Sequence, residues 1–548
     1  MQRSGNSEIY DKMNREVDFM STYVNPGNDG FAIIRNGIYV DKSGLISIIN
    51  KTINTPDNLT CFSLPRRFGK SFTTQMLCAY YDITCSSEKL FENLEITSDP
   101  HWKDHLNAYN VIYIDMTQVL GETEKKRFVE FLKEKIVAEL KSQYPDLMID
   151  SAFTTTLINA VALSQRKFVM IIDEWDAPIR ETPALYGEYL NFLRLLFKSS
   201  STTAKIFAAV YMTGILPIKK DGSQSAVSNF SEFSILEPYK FEKYIGFSES
   251  EVKYLCSLKG RDFEKMKYWY DGYTSGSVSE IYNPYSVMQA LQNGAYKSYW
   301  KRTSAAETLL NYIDIDFEGL QTDIARLTAG EEIQVSPEYF QNDTETFFSK
   351  DDILTLLIHL GYLTYKEQHN DDERDTAGIA WIPNEEVKTE FRSVLRQSKH
   401  PEIIRLLRRS DELLEKTLAM DEAYVADAMG NIQDSWHGPA HYHNEQALRS
   451  TVKFAYLTAV EDYTRIEELP SGHGIADLVF LPKRNVSKPP MLIELKWNKA
   501  SDGAVGQIKE KKYPAVIQNL TGREILLVGI SYDEKSKGHS CKIEKFPI

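Results

Sequence analysis

The chain has 548 residues, of which 42% are hydrophobic and 26% charged, so it has room for two to four domains with buried cores. Its formal net charge of −14 argues against a protein whose whole surface binds nucleic acid. No apolar run approaches the roughly 18 residues of a membrane-spanning helix, and the polar N-terminus is unlike a secretion signal. We therefore expect a soluble cytoplasmic protein.

The charge is unevenly distributed along the chain. From His441 to the end, 16 Lys and Arg face 13 Asp and Glu, which gives +3 and leaves −17 for the first 440 residues. The C-terminal part can therefore approach a polyanion that the rest repels. The five cysteines lack CxxC spacing, which argues against a zinc ribbon and a disulfide framework.

Residues 60–213 alternate between short apolar runs and longer amphipathic segments. The runs CFSLP, VIYIDMT, FVMIID and KIFAAVYMT are nearly continuous in apolar character, which is typical of parallel strands buried on both faces. The segments 124–143 and 186–200 have the apolar spacing of helices. The pattern predicts an α/β domain that binds ligands at the carboxyl ends of its strands.

The middle of the chain, residues 241–432, is mainly helical in pattern. Within it, SKDDILTLLIHLGYLTY and GIAWIPNEEVKTEFRSVLRQ predict helix, strand, turn, strand and helix in that order. This order fits a small winged-helix-like unit, and it fits a helical bundle with one hairpin equally well. After residue 443 the alternation returns, with a helix, the strands IADLVFLP and PPMLIELKW, another helix, and the strand EILLVGISY.

A phosphate-binding motif follows the first predicted strand. LPRRFGKS places Gly69, Lys70 and Ser71 at the last three positions of the Walker A pattern GxxxxGK[ST], whose loop and helix N-terminus surround phosphates. Lys70 would reach the β- and γ-phosphates, and the Ser71 hydroxyl would bind Mg²⁺. Leu64 replaces the first glycine of the pattern, while Arg66 and Arg67 add positive charge to the loop.

An acidic motif ends the strand VMIID. Asp173 would hold Mg²⁺ through water, and Glu174 would act as the general base that polarises the attacking water. A solvent-exposed strand end would explain these two carboxylates alone, but together with the Walker A motif they predict nucleotide binding and hydrolysis. A further strand ends at Thr213, whose hydroxyl could sense the γ-phosphate.

The motifs PRRFGKS, IDEWDAP, WYDGY and YNP, taken together, resemble the AAA-ATPase-like family, which is abundant in Bacteroidetes and other anaerobes. The resemblance extends over nearly the whole chain and implies a PD-(D/E)xK nuclease domain at the C-terminus. The family pattern tolerates a residue other than glycine at Leu64. It also marks Asp41 and Lys42 as a recurrent motif, for which an exposed ion pair is the simplest explanation.

Five aromatic residues are concentrated in the next part of the chain: Tyr268, Trp269, Tyr270, Tyr273 and Tyr282. Such a cluster could stack on a base or on nucleic acid. Packing that buries large aromatic area is the interpretation we favour.

Two carboxylates and a lysine form the C-terminal motif. Asp477 begins one predicted strand, and Glu494 and Lys496 share a face of the next. A hairpin would bring the two carboxylates together, which is costly unless a cation such as Mg²⁺ or Mn²⁺ lies between them. Lys496 would then orient or deprotonate the attacking water. A solvent-exposed hairpin with Glu–Lys pairing is the alternative.

This arrangement is similar to that of the PD-(D/E)xK nucleases. The resemblance implies that Glu445 supplements the metal site and that Gln507 and Tyr513 form the trailing Q…Y pair. Lys509, Lys511 and Lys512 lie nearby and could contact phosphates.

The histidines of this region are not predicted to bind zinc. His437, His441 and His443 do not share a helix face, and no cysteine is near to complete four ligands. His473 is expected in a turn before Asp477.

Three domains are therefore predicted: an AAA-ATPase-like P-loop domain in residues 1–240, a helical middle region in 241–432, and an α/β nuclease-like domain in 433–548. We expect ATP and Mg²⁺ or Mn²⁺ as cofactors and nucleic acid as partner, with DNA favoured over RNA, and a homo-oligomer is left open. The predicted function is an ATPase coupled to a metal-dependent nuclease. The alternative is a nucleotide-operated binding module whose nuclease fold recognises a partner without cleavage.

Overall fold

A computed structural model describes most of the chain. The described residues are 21–124, 127–218, 229–300, 319–338, 340, 349–368, 377–397, 401–436, 445–471, 474–483, 486–510, 517 and 523–547. They form two compact units: unit 1 is Met1–Tyr299 with Ser336–Gly378, and unit 2 is Trp300–Val335 with Ile379–Ile548. The three domains predicted from the sequence stay a prediction. No helix in the described ranges is long and apolar enough to cross a membrane.

The first half of unit 1 contains the elements of the predicted α/β domain. Its strands are β1 (Leu59–Ser63), β2 (Asn110–Asp115), β3 (Phe168–Asp173), β4 (Phe207–Gly214) and β5 (Ser231–Ser234). Its helices are α1 (Asp29–Arg35), α2 (Gly44–Asn50), α3 (Lys70–Tyr81), α4 (Glu88–Phe91), α5 (Met116–Glu122), α6 (Phe128–Gln143), α7 (Phe153–Ser164), α8 (Ala177–Glu181), α9 (Tyr186–Phe197) and α10 (Ser200–Ile206).

The five strands form one parallel sheet in the order β2-β3-β4-β1-β5. Every residue of β1, β3 and β4 is buried, which is why these strands have continuous apolar sequences. The central position of β4 separates β1 from β3, and the C-terminal ends of all three point to the same edge. The predicted parallel α/β domain is confirmed, and the ends of β1 and β3 place two sequence motifs on one edge.

A helical segment with one hairpin follows in unit 1. Its elements are α11 (Glu249–Lys259), α12 (Phe263–Tyr270), β6 (Tyr273–Ser275), β7 (Val278–Ile281) and α13 (Pro284–Asn293). Side-chain caps define where its helices begin: Ser248 and Glu251 form a capping box on α11, and the Asn283 side chain accepts from the Ser286 N–H on α13. The three helices pack around a shared apolar cluster.

The middle of the chain contains short elements of both kinds. They are α14 (Leu320–Ala329), β8 (Ile333–Val335), α15 (Lys350–Leu360), β9 (Thr364–Glu367), β10 (Gly378–Trp381) and α16 (Glu385–Gln397). The order α15, β9, β10, α16 is the helix, strand, strand, helix order that the sequence predicted.

Unit 2 is completed by a helical layer and a mixed sheet. The helices are α17 (Pro401–Leu418), α18 (Glu422–Trp436), α19 (Glu445–Ala455) and α20 (Ser501–Glu510). The strands are β11 (Tyr463–Ser471), β12 (Gly474–Pro482), β13 (Met491–Trp497), β14 (Ile525–Asp533) and β15 (Gly538–Phe546), paired in that order. Only β13 and β14 pair in parallel. Apolar clusters cover the two faces of the sheet, which confirms the α/β nuclease-like fold class.

Candidate nucleotide and metal sites

The loop between β1 and α3 has a backbone suited to phosphate. Gly69 adopts φ +86°, a left-handed conformation that glycine takes without strain, and α3 begins at the next residue with its first N–H groups unpaired by the helix. Leu64 is buried, and its N–H donates to the Gly214 carbonyl over 2.9 Å. The unusual Leu64 therefore joins the loop to the neighbouring strand.

Lys70 points into the loop that precedes it. Its ammonium lies 3.1 Å from the carbonyl oxygens of both Leu64 and Pro65 and 3.4 Å from the Glu174 carboxylate. The side chain is only 4% exposed. A buried ammonium held by two carbonyls and one carboxylate is ready to exchange these partners for phosphate oxygens.

Asp173 lies beside Ser71, although the two are about a hundred positions apart in sequence. The carboxylate accepts from the hydroxyls of Ser71 and Thr74, the latter over 3.3 Å. Burial raises the pKa of Asp173 to about 6, while the bond from Ser71 lowers it and the nearby Glu174 raises it. An ionised carboxylate is disfavoured here until a cation compensates it.

Glu174 is held between two cations. Its carboxylate contacts Lys70 on one side and accepts from Arg180 over 3.1 Å on the other. Arg180 also binds Asp176 over 3.1 Å, and Asp176 accepts from the N–H groups of Ile215 and Leu216. Sequence reasoning missed Arg180, for which the only signal was its four-residue spacing from Asp176 on α8.

The remaining predicted residues of this site have partners of their own. The Thr213 hydroxyl donates to the Phe62 carbonyl over 3.0 Å. Arg67 donates to the Tyr299 carbonyl over 2.7 Å and lies 4.6 Å from the centre of the Tyr285 ring, so it binds the helical segment. The pKa of the half-buried Arg66 is lowered by burial and then by the positive charge of Arg180.

Asp41 and Lys42 do not form the simple exposed ion pair that the sequence favoured. The Asp41 carboxylate accepts from the backbone N–H groups of Ser43 and Glu95. Lys42 instead donates to both oxygens of Glu251, over 2.8 and 3.0 Å. Lys42 pairs with a residue distant in sequence, and Asp41 pairs with backbone N–H groups. A sequence pattern shows neither kind of partner.

The aromatic cluster is mainly packing. Tyr270, Tyr273 and Tyr282 are fully buried, and Trp269 packs partly buried against the same apolar cluster. Tyr268 is half exposed.

In unit 2, the hairpin of β12 and β13 brings the two carboxylates together. The antiparallel register pairs Leu478 with Ile493, so its continuation places Asp477 opposite Glu494. Asp477 accepts from the Leu495 N–H over 2.8 Å, across the hairpin. Leu495 itself is fully buried in the core, and the two carboxylates are 8% and 2% exposed. Two nearly buried carboxylates on neighbouring strands require compensation of their negative charge.

Three side chains compensate the charges of Asp477 and Glu494. Lys496 lies 3.1 Å from a Glu494 oxygen, and Gln507 on α20 donates to the same oxygen. Arg449, on α19, donates to Asp477 over 2.8 Å. Sequence reasoning missed Arg449, whose position one turn after Glu445 on a helix facing the hairpin was its only signal.

Several predicted residues cannot be placed. Glu445 is the first residue of α19, but its side chain lies outside the described part of the chain. Outside the described residues altogether are Tyr513, Lys511, Lys512, His437, His441, His443 and His473. Lys509, which is described, pairs with Glu544.

Both sites offer oxygen ligands for a hard cation. Where residues are described, no group of three or more His, Cys, Asp or Glu could hold a metal ion. The Ser71 hydroxyl with the Asp173 carboxylate, and the pair Asp477 and Glu494, nevertheless suit Mg²⁺ or Mn²⁺, which bind one or two carboxylates and take further oxygens from phosphate and water. The chemistry of the donors therefore fits the ion at both places.

Two family models match this chain. Residues 27–223 match the family described as predicted AAA-ATPase, and residues 443–541 match the PD-(D/E)XK nuclease superfamily. These matches confirm both resemblances that the motifs predicted. The first covers the phosphate loop and the acidic end of β3, and the second covers the hairpin of β12 and β13.

Other known proteins are similar over much of their length. An uncharacterized protein in the vnfD 5′ region of Azotobacter chroococcum mcd 1 is 22% identical over 528 residues, which cover 93% of this chain and 96% of that protein. The Aeropyrum pernix ORC2 protein in ADPNP-ADP complexes aligns at 10% identity and a TM-score of 0.30, covering 66% of this chain and 97% of that one. The Aeropyrum pernix ORC1 protein in complex with DNA aligns at 8% identity and a TM-score of 0.25, covering 68% and 97%.

Proposed function

We propose that this protein binds and hydrolyses ATP at the end of β1 and β3, and that its C-terminal domain cleaves phosphodiester bonds of nucleic acid with Mg²⁺ or Mn²⁺. DNA is the favoured substrate, and the bacterial cytoplasm is the proposed location. The convergence of Lys70, Ser71, Asp173 and Glu174 on one edge of the parallel sheet carries the ATPase part of the proposal. These four residues come from two segments a hundred positions apart.

The residues of the nucleotide site divide the work of phosphoryl transfer. Lys70 leaves its two carbonyls to bind the β- and γ-phosphates, and the N–H groups at the start of α3 hold the same phosphates. Ser71 and Asp173 would hold the metal ion, which would supply positive charge to the phosphate oxygens. Glu174 orients the attacking water and accepts its proton, and Arg180 fixes the position of the Glu174 carboxylate.

The test of the ATPase uses variants of two residues with different roles. Lys70→Ala is expected to abolish ATP binding, whereas Glu174→Gln keeps binding and lowers hydrolysis by about 100-fold or more, the range of a lost general base. The exposed Lys89 provides the control Lys89→Ala, which leaves both unchanged. ATP binding by Lys70→Ala at wild-type affinity would contradict the assignment.

In the proposed nuclease site, the chain positions the reacting groups. Asp477 and Glu494 would hold the divalent ion, which would supply Lewis-acid chemistry to the phosphate and the attacking water. Lys496, whose ammonium lies beside Glu494, orients the substrate phosphate and stabilises the negative charge that develops on it. Gln507 fixes the orientation of the Glu494 carboxylate through its amide. Glu445 and Tyr513 are proposed as supporting residues.

The nuclease is tested with labelled single-stranded DNA and plasmid in the presence of Mg²⁺ or Mn²⁺. Cleavage by the wild type is expected to disappear in Glu494→Gln and Lys496→Met, and to persist in the control Lys499→Met, which changes an exposed lysine close in sequence. Absence of cleavage of any DNA or RNA, with either metal and with or without ATP, would contradict the nuclease.

One observation favours the alternative of a nucleotide-operated binding module. Arg449 donates a hydrogen bond to an oxygen of Asp477. The guanidinium therefore neutralises part of the charge of the acidic pair, and the pair depends less on a bound metal ion. In this alternative, the C-terminal fold recognises a partner without cleaving it. ATP binding without turnover, together with nucleotide-dependent capture of DNA that stays intact with Mn²⁺, would support the binding module over the nuclease.

A further inference from the structure

A cluster of basic side chains lies in unit 2, outside both sites described above. It includes Lys388 and Arg392 on α16, Lys453 on α19 and Arg465 on β11. They surround the C-terminal end of α14, where Gly330 follows the last helical residue. Because these basic residues come from three separate segments, no sequence motif marks the cluster.

The carboxylates near this cluster are already paired. Glu385 binds Arg392 over 2.8 Å. Glu467 lies 3.1 Å from Lys453 and 3.4 Å from Arg465. A third carboxylate, Glu331, binds Arg326 over 3.0 Å through one oxygen, and its other oxygen is buried with no hydrogen-bond partner in the described ranges. Within the described chain, the four cations of the cluster thus have only two carboxylate partners between them, Glu385 and Glu467, and the cluster retains positive charge.

Lys388 differs from the other cations of the cluster in that, in the part of the chain that the structure describes, no carboxylate is paired with it. Among the described residues, no hydrogen bond or ion pair of its ammonium is found, although the side chain is only partly exposed. The pKa of Lys388 is lowered to about 8, mainly by burial and also by the neighbouring Arg465 and Arg392, while Glu385 and Glu467 act in the opposite direction. A charged lysine here stands among other cations with too few anions to balance it.

Gly330 leaves a space that two of these cations border. Its φ of +89° ends α14 in the left-handed conformation, and this accounts for the glycine. A β-carbon at Gly330 would lie 3.0 Å from Arg465 Nη2 and 3.7 Å from Lys388 Nζ. Arg465 reaches that point because its Nη2 donates to the carbonyl of Ala329, the last residue of α14, whereas the helix end does not account for the position of Lys388. An oxygen anion located there could accept from both of them.

Arg392 adds a donor to the same surroundings. Its Nε is buried and has no hydrogen-bond partner in the described part of unit 2, whereas its terminal nitrogen binds Glu385. Arginine suits tetrahedral oxyanions because its planar fork of N–H groups can bind two oxygens.

We propose that Lys388, Arg392 and Arg465 form a second phosphate site beside Gly330, in addition to the P-loop. The ligand is a phosphate group, either free or in the backbone of a nucleic acid, since both present the same oxyanion. The inference does not rest on the proposed ATPase or nuclease activity, because it needs neither turnover nor metal.

Chemical labelling tests the site in the wild-type protein. Lysines of the full chain are acylated at pH 8 and quantified by mass spectrometry, with no addition, with inorganic phosphate, or with oligodeoxythymidine, in the presence of EDTA. Labelling of Lys388 is expected to slow at least about threefold when phosphate binds, because an adjacent anion raises the pKa of the ammonium by roughly one unit or more and leaves less of the reactive neutral amine. Labelling of the exposed Lys535 stays constant. Equal labelling of Lys388 under all three conditions would overturn the proposal.

Variants then separate the two sources of phosphate. In a Lys70→Met background that silences the P-loop, we compare Lys388→Met with Lys388→Arg and the control Lys535→Met. If the ligand is a nucleic-acid backbone, Lys388→Met lowers oligodeoxythymidine affinity and reduces its salt slope by about one, and Lys388→Arg restores both. If the ligand is free phosphate, only the thermal stabilisation by inorganic phosphate is lost. Behaviour of Lys388→Met identical to Lys535→Met with both probes rejects the site.

Discussion

At the scale of single residues, buried carboxylates held without full compensation mark both candidate sites. Asp173 and Glu494 are almost completely buried, and neither would stay charged in such surroundings without nearby donors. Burial of these carboxylates lowers the stability of the fold, and the same carboxylates are suited to bind a divalent cation. The free energy of folding and the affinity for metal should therefore change in opposite directions when these residues are altered.

Asp173→Asn tests this opposition. The pKa of Asp173 is raised to about 6 from an ordinary value near 4, so the neutral form stabilises the fold below about pH 4. That stability is lost as the pH rises through 6, when the buried side chain must ionise. We expect Asp173→Asn to raise the unfolding free energy at pH 7 by at most about 3 kcal/mol, the equivalent of the shift, and to abolish ATP hydrolysis.

The measurement is thermal unfolding without nucleotide from pH 4 to 8. The difference between Asp173→Asn and the wild type should grow between pH 4 and 7. Asp57→Asn changes an exposed residue and should show no such growth. A destabilised Asp173→Asn at pH 7 would contradict the argument.

Arg449 gives the second residue-scale prediction. Arg449→Met removes the cation bound to Asp477 and leaves two adjacent carboxylates less compensated, which should destabilise unit 2 by roughly 3–5 kcal/mol, as for other broken buried pairs. Mn²⁺ should restore more stability to the variant than to the wild type, because the ion no longer competes with the guanidinium. The increase of the unfolding temperature with added Mn²⁺ measures this directly. An equal increase in both proteins would show that no ion binds at Asp477.

The motif residues could be predicted from the sequence because each lies in a recognisable strand or after the loop that follows one. Lys70, Asp173 and Glu494 were found in this way. Arg180 and Arg449 were not, since a charged residue on a helix surface is usually exposed, and the partner of Arg449 lies on another element. Their function depends on which neighbour the fold supplies, and a single sequence does not contain that information.

At the scale of elements, ion pairs join segments that are far apart in the sequence. Lys42, in the segment before α2, binds Glu251 of the α11 capping box, and their side chains are 16% and 28% exposed. Lys103 and Glu88 form a comparable pair that is more than half exposed. Exposed pairs contribute little because water and salt screen them, whereas partly buried ones contribute more.

Lys42→Met should therefore destabilise unit 1 by about 1 kcal/mol, and Lys103→Met by less than about half of that. A double-mutant cycle with Glu251→Gln isolates the coupling between Lys42 and Glu251 from other effects of each substitution. Equal effects of the two lysine substitutions on chemical denaturation would show that the Lys42 pair has no special structural role.

The elements themselves were predictable where their sequence was uniform. The buried strands β1, β3 and β4 were recognised because every residue is apolar or nearly so. The strands β5, β11 and β15 were not. β11 has the sequence YTRIEELPS, in which charged residues interrupt the alternation expected of an edge strand. Its Glu467 binds Lys453 of α19 and Arg465 of the same strand.

At the scale of the whole molecule, the compact units do not follow the order of the chain. Residues 336–378 belong to unit 1, although the segments on either side belong to unit 2. Boundaries drawn from changes in sequence pattern assume that each domain is continuous, and so they could not anticipate this exchange. The two candidate sites nevertheless lie in different units, and this allows each to be disabled without altering the other.

The final prediction concerns communication between the two units. If ATP controls access to the C-terminal site, nucleotide and DNA must change each other's affinity by the same factor, because linkage is reciprocal. Coupling of about 1–3 kcal/mol, which is usual for such systems, corresponds to roughly 5- to 150-fold. In Glu494→Gln, which is expected to bind DNA without cutting it, a non-hydrolysable ATP analogue should shift DNA affinity within that range. DNA should shift analogue affinity equally, and Lys70→Ala should abolish the effect. Unchanged affinities in both directions would mean that the two sites act independently, even if each activity is present.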